Sequence, residues 1–312
     1  MERHITLVAG GAGFIGSHLC MRLLAEGHNV IAMDNLSTGR LSNIAEISNS
    51  PNFTFIRHDI TVPYTLTYKI DFIYNLACPA SPQMYQADPI KAFMTSTVGS
   101  YNLLELARVN NARILLASTS EVYGDPSVSP QAESYLGNVN PVGIRSCYDE
   151  GKRGAETLFS DYRRCLGTDI RIVRIFNTYG PRMRHDDGRV IPTFINQALH
   201  GIPLTVNGDG SQTRSFMYID DLIDALILMM GDGVTYRPVN LGNPEEVTVY
   251  NLALQINKLI GNKTGLVYRS MPADDPKKRR PDISRAVSEL NGWKPKTTLI
   301  NGLNNTIDYF KS

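Results

Sequence analysis

A doubly wound α/β fold, a parallel sheet with helices on both faces, is what this sequence of 312 residues predicts. Three observations predict it. Strand-like apolar runs alternate with helical patterns through the first half. A glycine-rich turn joins the first run to the first helix. An acidic residue, Asp34, closes the second run. Strands are expected at 5–9, 30–33, 53–58, 72–76, 114–118 and 170–176, and helices at 14–26, 89–110 and 148–166. Gly27, followed by His28 and Asn29, stops the first helix before the second strand.

After Asn177 the pattern loosens. Gly180-Pro181-Arg182 and Gly208-Asp209-Gly210 separate shorter elements, among them a helix near 220–230. There is no internal repeat. Residues 1–176 are expected to form the core domain. Residues 177–312 are expected to form mainly a smaller C-terminal lobe, interleaved with the core and laid over the C-terminal edge of its sheet. Open parallel sheets bind their ligands at that edge.

Composition narrows the partners. The chain is 42% apolar and 20% charged, with a net charge of +1. That balance argues against nucleic acid or an acidic membrane surface, so a bound anion has to be held by local groups. No apolar run reaches the length of a bilayer span. The first strand starts just after Met1-Glu2-Arg3, which leaves no room for a signal peptide; the expectation is a cytoplasmic protein. Cys20, Cys78, Cys147 and Cys165 are scattered, with no metal-ligand spacing, and no metal is expected. Cys20 and Cys165 lie in apolar-periodic stretches and read as reduced core thiols.

Gly10-Gly11-Ala12-Gly13-Phe14-Ile15-Gly16 follows a strand and opens a helix. Gly10 permits the tight turn, Gly13 lets the backbone approach a pyrophosphate, and Gly16 lets helix and strand pack closely. The pyrophosphate then sits on the helix N-terminus, where unpaired N–H groups point outward. Asp34 stands where a carboxylate bonds the ribose 2′-OH and repels a 2′-phosphate, so NAD is favoured over NADP. Arg40 is the one nearby feature arguing the other way. Asp59 ends the third strand and either bonds the adenine amine or serves the turn.

Tyr148 and Lys152 are four apart in a helical stretch, which puts both side chains on one face. An ammonium beside a phenol favours the phenolate, which lowers the tyrosine pKa from near 10 toward neutrality. Such a phenolate can take a proton from a sugar hydroxyl while hydride leaves. Ser118-Thr119-Ser120-Glu121 follows an apolar strand and emerges at the C-terminal sheet edge. The plain reading is a helix cap or polar loop. In the functional one, Thr119 bonds the reacting hydroxyl and Glu121 handles a second proton or a water.

On these residues the chain resembles the UDP-glucuronate decarboxylases (UDP-xylose synthases), within the extended short-chain dehydrogenase/reductases of Rossmann type. The likeness runs through the glycine turn, Pro79-Ala80-Ser81-Pro82, Ser118 to Pro126, Ser146 to Arg153, Arg174 to Met183, Asp187-Gly188-Arg189-Val190, Gly210 to Arg214 and Asp274 to Ile283. It covers nearly the whole chain. Thr119-Ser120-Glu121 is the most telling part. The 4,6-dehydratases usually carry Thr-Asp-Glu there, and the 4-epimerases usually lack the acidic pair.

The resemblance implies NAD-dependent decarboxylation of UDP-glucuronate through a 4-keto intermediate, with NAD regenerated. It gives Tyr148 the base role, Lys152 its tuning and ribose binding, and Thr119 the orientation of the hydroxyl. Ser120 takes the place of the dehydratase acid, and Glu121 and Arg279 serve decarboxylation and reprotonation. It implies NAD contacts at Phe14, Ile15, Asn35, Ser37, Thr38, Gly39, Asp59, Ile60, Leu76 and Ala77, besides the glycines and Asp34. Substrate contacts are implied at Tyr85, Asn177, Arg189, Arg214 and Arg279, with Val190 and Thr205 lining the uracil. Of Lys277-Lys278-Arg279-Arg280, only Arg279 is read as functional, the rest as a solvated loop. Met94 stands where decarboxylases usually have a second lysine, and Ala9 where they usually have threonine.

The resemblance also implies a homodimer through helices 89–110 and 148–166. Leu103, Leu104, Leu106, Leu158 and Phe159 exceed what one core face requires, although some of them face the sheet. The rival readings are a sugar-nucleotide 4,6-dehydratase or 4-epimerase, and a nucleotide-sensing protein without catalysis. Such a sensor typically loses the tyrosine or the lysine, and both are present.

Overall fold

The structure, a computed structural model, describes residues 3–66, 68–270 and 279–312. Its first half runs β1 Ile5–Ala9, α1 Phe14–Ala25, β2 Asn29–Asp34, β3 Phe53–Arg57, β4 Phe72–Asn75, α2 Pro82–Ala87, α3 Pro89–Asn110, β5 Arg113–Thr119, α4 Ser146–Leu166 and β6 Ile170–Ile175. The second half runs β7 Thr178–Tyr179, α5 Val190–Leu199, β8 Leu204–Asn207, β9 Thr213–Ser215, β10 Met217–Tyr218, α6 Ile219–Met229 and β11 Val239–Leu241. It ends with β12 Glu246–Thr248, α7 Val249–Ile260, β13 Leu266–Arg269, α8 Ser284–Glu289 and α9 Leu299–Lys311.

Seven strands pair in parallel in the order β11-β6-β5-β4-β1-β2-β3. The chain winds outward from β1 to β3, then returns to the other side of β1 to lay down β4. A cleft opens at such a reversal, beyond the strands' carboxyl ends. Strand alternation divides the core between the two faces. Leu7 and Ala9 of β1 join Leu103, Leu104, Leu106 and Phe159 in one cluster. Val8 joins Leu19, Cys20 and Leu23 of α1 in the other.

Those clusters correct two expectations. Leu103, Leu104, Leu106 and Phe159 are buried within this one chain, because α3 and α4 pack on each other and on the sheet. They leave nothing over for a partner; Leu158 is only partly buried. Cys165 is exposed near the end of α4, whereas Cys20 is buried as expected. The seventh strand, β11, was not expected. It is three residues long, too short for its alternation to show, and the second half thereby contributes an edge to the main sheet. Among the described residues no helix is long and apolar enough to cross a membrane.

Candidate active site

One cavity of about 1050 Å³ runs along the carboxyl edge of the sheet. The glycine turn forms one end of it. Gly10 has a φ of +81°, and a Cβ there would stand 2.9 Å from the Leu76 carbonyl. At Gly16 a Cβ would strike the Gly10 carbonyl, so α1 can approach β1 only with glycine at that position. At Gly13 a Cβ would instead point into nearly open space, with only the Gly10 oxygen near it at 3.1 Å. Gly13 lines the cavity, and a side chain there would fill the cradle the turn leaves for a phosphate.

Asp34 closes β2 against this turn. Its Oδ2 accepts from the Ala12 N–H at 3.1 Å and its Oδ1 from the Leu36 N–H at 2.8 Å. Burial pushes its pKa up, against those two amides. Gly39 does not line the cavity but lies under this carboxylate, where a Cβ would come within 2.7 Å of Oδ2. Arg40 offers nothing to a 2′-phosphate. Its Nη2 donates to the carbonyls of Arg182 and Met183, both at 3.4 Å. Asp59 serves the turn, its Oδ1 accepting from the Thr61 N–H at 2.9 Å, and the residue also lines the cavity. Its Oδ2 pairs with Lys91 Nζ at 2.7 Å. Phe14, Ile15, Asn35, Ser37, Thr38, Ile60, Leu76 and Ala77 line the same cavity.

The β5 carboxyl end and the first turns of α4 bring the reacting groups together. The Thr119 hydroxyl stands beside the Tyr148 phenol and works against the rise of its pKa. Lys152 Nζ lies 5.9 Å from the Tyr148 ring centre and donates to the Ala117 carbonyl at 2.8 Å. The expected drop in the phenol pKa is absent from the unliganded chain. Burial is the largest effect and holds Tyr148 above the ordinary tyrosine range, while it pulls Lys152 below the ordinary lysine range. An ammonium nearly 6 Å away does not outweigh it. Tyr85 stacks on Tyr148 with ring centres 5.0 Å apart, and its buried hydroxyl has no partner among the described residues.

Glu121, expected to handle a second proton or a water, is held in two ion pairs. Its two oxygens are taken by two guanidiniums, Oε2 by Arg145 and Oε1 by Arg279. Burial would raise its pKa, but Arg279 and Arg145 together hold it below the usual carboxylate range. Arg279 also donates to the Gly124 carbonyl at 2.9 Å and toward Ser120 Oγ at 3.4 Å. Asp274 to Lys278 lie outside the described residues. Arg145 was missed. No spacing rule reveals it, because its partner Glu121 lies 24 residues back on another element.

At the far end, Asn177, Arg189, Val190, Thr205 and Arg214 line the cavity. Arg189 is oriented by Asp187, which accepts from Nη2 at 2.8 Å, and the Thr205 N–H donates to Gln197 Oε1 at 3.0 Å. Met94 is on the exposed side of α3 and does not line the cavity. The missing family lysine therefore leaves the interior of the site unchanged. No group of three or more metal-ligating side chains occurs among the described residues.

Residues 6–242 match the NAD dependent epimerase/dehydratase family. UDP-glucuronic acid decarboxylase 4 of Arabidopsis thaliana is 54% identical over 297 residues, which are 95% of this chain and 66% of that one. This chain thus spans just under two thirds of that relative. UDP-glucuronic acid decarboxylase 3 of the same plant is 53% identical over 95% of this chain and 86% of its own. Among solved structures, UDP-glucuronic acid 4-epimerase from Bacillus cereus, in complex with UDP-glucuronic acid and NAD, is 30% identical. It superimposes with a TM-score of 0.87 over 98% of this chain and 99% of that one. Family match and relatives agree with the site, and the chain belongs to the NAD dependent epimerase/dehydratase family, within it to the UDP-glucuronic acid decarboxylases.

Proposed function

We propose that this chain decarboxylates UDP-glucuronate to UDP-xylose and carbon dioxide, using a tightly held NAD that each cycle regenerates. One observation carries the reading. The Thr119/Tyr148/Lys152 set and the Glu121–Arg279 pair open on a single cavity, so oxidation and the later proton transfer can act on one bound sugar. The NAD cradle fits: open space above Gly13, the Asp34 carboxylate, and Arg40 turned away. NAD, when bound, supplies the hydride acceptor and later donor, and in its oxidised form a positive charge.

The side chains do the rest. Thr119 orients the sugar 4-hydroxyl, and Tyr148 takes its proton as the alcohol becomes a ketone. That ketone is β to the C5 carboxylate, so the C5–carboxylate bond breaks with its electron pair received by the ketone as an enolate. A proton returned to C5 and reduction at C4 give the pentose. Ser120, where a dehydratase would hold an acid for a departing hydroxyl, favours this course over dehydration.

The test is to incubate purified protein with UDP-glucuronate and identify the product sugar by NMR. UDP-xylose and carbon dioxide should appear with little or no added NAD. A 4-epimer or a deoxy-keto sugar instead would assign one of the rival reactions. A need for stoichiometric NAD, with one NADH per product, would falsify the closed cycle.

The same reading includes a cytoplasmic homodimer. With the α3 leucines spent on the core, its contact face is the outer stripe Ile90, Met94 and Tyr101, all exposed and on one side of α3. Light scattering at micromolar concentration should give twice the 34.6 kDa chain mass. A monomer there rules the dimer out.

A further inference from the structure

Among the described residues the charges around Glu121 do not balance. Two guanidiniums, of Arg145 and Arg279, converge on its one carboxylate. The only other acid paired with either is Asp149, among the described residues, whose Oδ2 lies 3.9 Å from Arg145 Nε. Burial first, and then the Glu121 charge, push Asp149 up to about 7, so near neutral pH it cancels only part of the excess. The donors are incompletely used as well. Arg279 Nε is buried with no partner among the described residues, and the residue is only 3% exposed. An excess cation and an unmet donor inside a closed site are costly unless an anion completes them. Arg145, Arg279, Glu121 and Tyr148 all line the cavity, so the completing anion can come from the ligand.

We propose that Arg145 determines specificity for an acidic sugar: with Arg279 it forms a two-guanidinium site that Glu121 half fills and the substrate's C5 carboxylate completes. This rests on the uronate reading above and extends it. Two carboxylates against two guanidiniums make a neutral cluster, whereas a neutral hexose in the same place leaves it charged. Lysine at position 94 is not needed for this, because that side chain is outside the cavity. Arg145 is also well placed mechanically. It is the N-cap residue of α4, the helix that carries Tyr148 and Lys152, so the carboxylate it holds is registered against the base.

The experiment compares three ligands, UDP, UDP-glucose and UDP-glucuronate, by calorimetric titration of the NAD-loaded protein, the wild type beside Arg145→Met and Arg145→Lys. The wild type should bind UDP-glucuronate more tightly than UDP-glucose. Arg145→Met should weaken UDP-glucuronate roughly ten- to hundredfold, the usual size of a lost hydrogen bond to a charged group. UDP and UDP-glucose should change less than about twofold, well under the scale of a lost charged contact. Arg145→Lys, which keeps the charge, should recover most of the loss and guards against a folding defect in the methionine variant. Equal weakening of all three ligands would make Arg145 a diphosphate or structural residue and overturn the proposal. Unchanged UDP-glucuronate affinity in Arg145→Met overturns it too. A wild type that does not distinguish UDP-glucuronate from UDP-glucose would instead sink the uronate reading on which it rests.

Discussion

Tyr148→Phe abolishes both halves of the reaction: neither NADH nor pentose accumulates, and turnover falls by about 10²–10⁴-fold or more. In the proposed reaction the phenol oxygen receives the hydroxyl proton, and among the described residues no other group in the site is placed to replace it. Glu121 is locked between two guanidiniums, and burial depresses the basicity of Lys152. The fold should survive the change. The ring stays stacked on Tyr85 at 5.0 Å, and only the polar contact of the phenol oxygen beside Thr119 is lost, which costs at most on the order of 1 kcal/mol. A calorimetric melt close to that of the wild type, with UDP-glucuronate still bound, would separate lost chemistry from lost structure. NADH formation at the wild-type rate would show that another group removes the proton. The raised phenol pKa of the unliganded chain adds a condition. The ammonium alone does not hold the phenolate ready, so deprotonation waits for further positive charge in the cleft.

How far these side chains could be found without coordinates depends on how local their geometry is. The turn at Gly10, the carboxylate at Asp34 and the pair Tyr148/Lys152 are each set within a few residues of one element end, and spacing alone locates them. Glu121 and Arg279 are legible as residues but not in their relation. They are 158 positions apart, and the resemblance gave each a proton-handling role without showing that one neutralises the other. Arg145 carried no signal at all, since an arginine before a helix reads as a solvated end. The α3 leucines misled for a related reason. A helix covered by the sheet on one side and by α4 on another has a wide apolar surface, and amphipathicity cannot distinguish a second intrachain neighbour from a second chain. The edge strand β11 was lost because three residues are too few to establish a period.

Glu121→Gln should divide the reaction where Tyr148→Phe stops it. Thr119, Tyr148 and Lys152 are untouched, so the sugar is still oxidised and NADH absorbance builds up with UDP-glucuronate. Pentose release lags behind, because the pair proposed to serve loss of the carboxylate and reprotonation of C5 has lost its anion. The substitution also strikes the fold. It leaves Arg145 and Arg279 without their shared counter-charge, with side chains only 15% and 4% exposed. Breaking a buried ion pair costs about 3–5 kcal/mol, and the amide oxygen, which still accepts one hydrogen bond, places the expected loss at the low end. The two effects separate in a single sample, because misfolding lowers NADH and pentose together, whereas a lost proton-transfer role raises NADH relative to pentose. The unbalanced guanidiniums sharpen the expectation further. With Glu121 neutral they hold the substrate's carboxylate more strongly, which favours the ground state over its departure and lengthens the lag. Release of UDP-xylose at the wild-type rate, with no NADH accumulating, would reduce Glu121 to a structural counter-ion for Arg145 and Arg279.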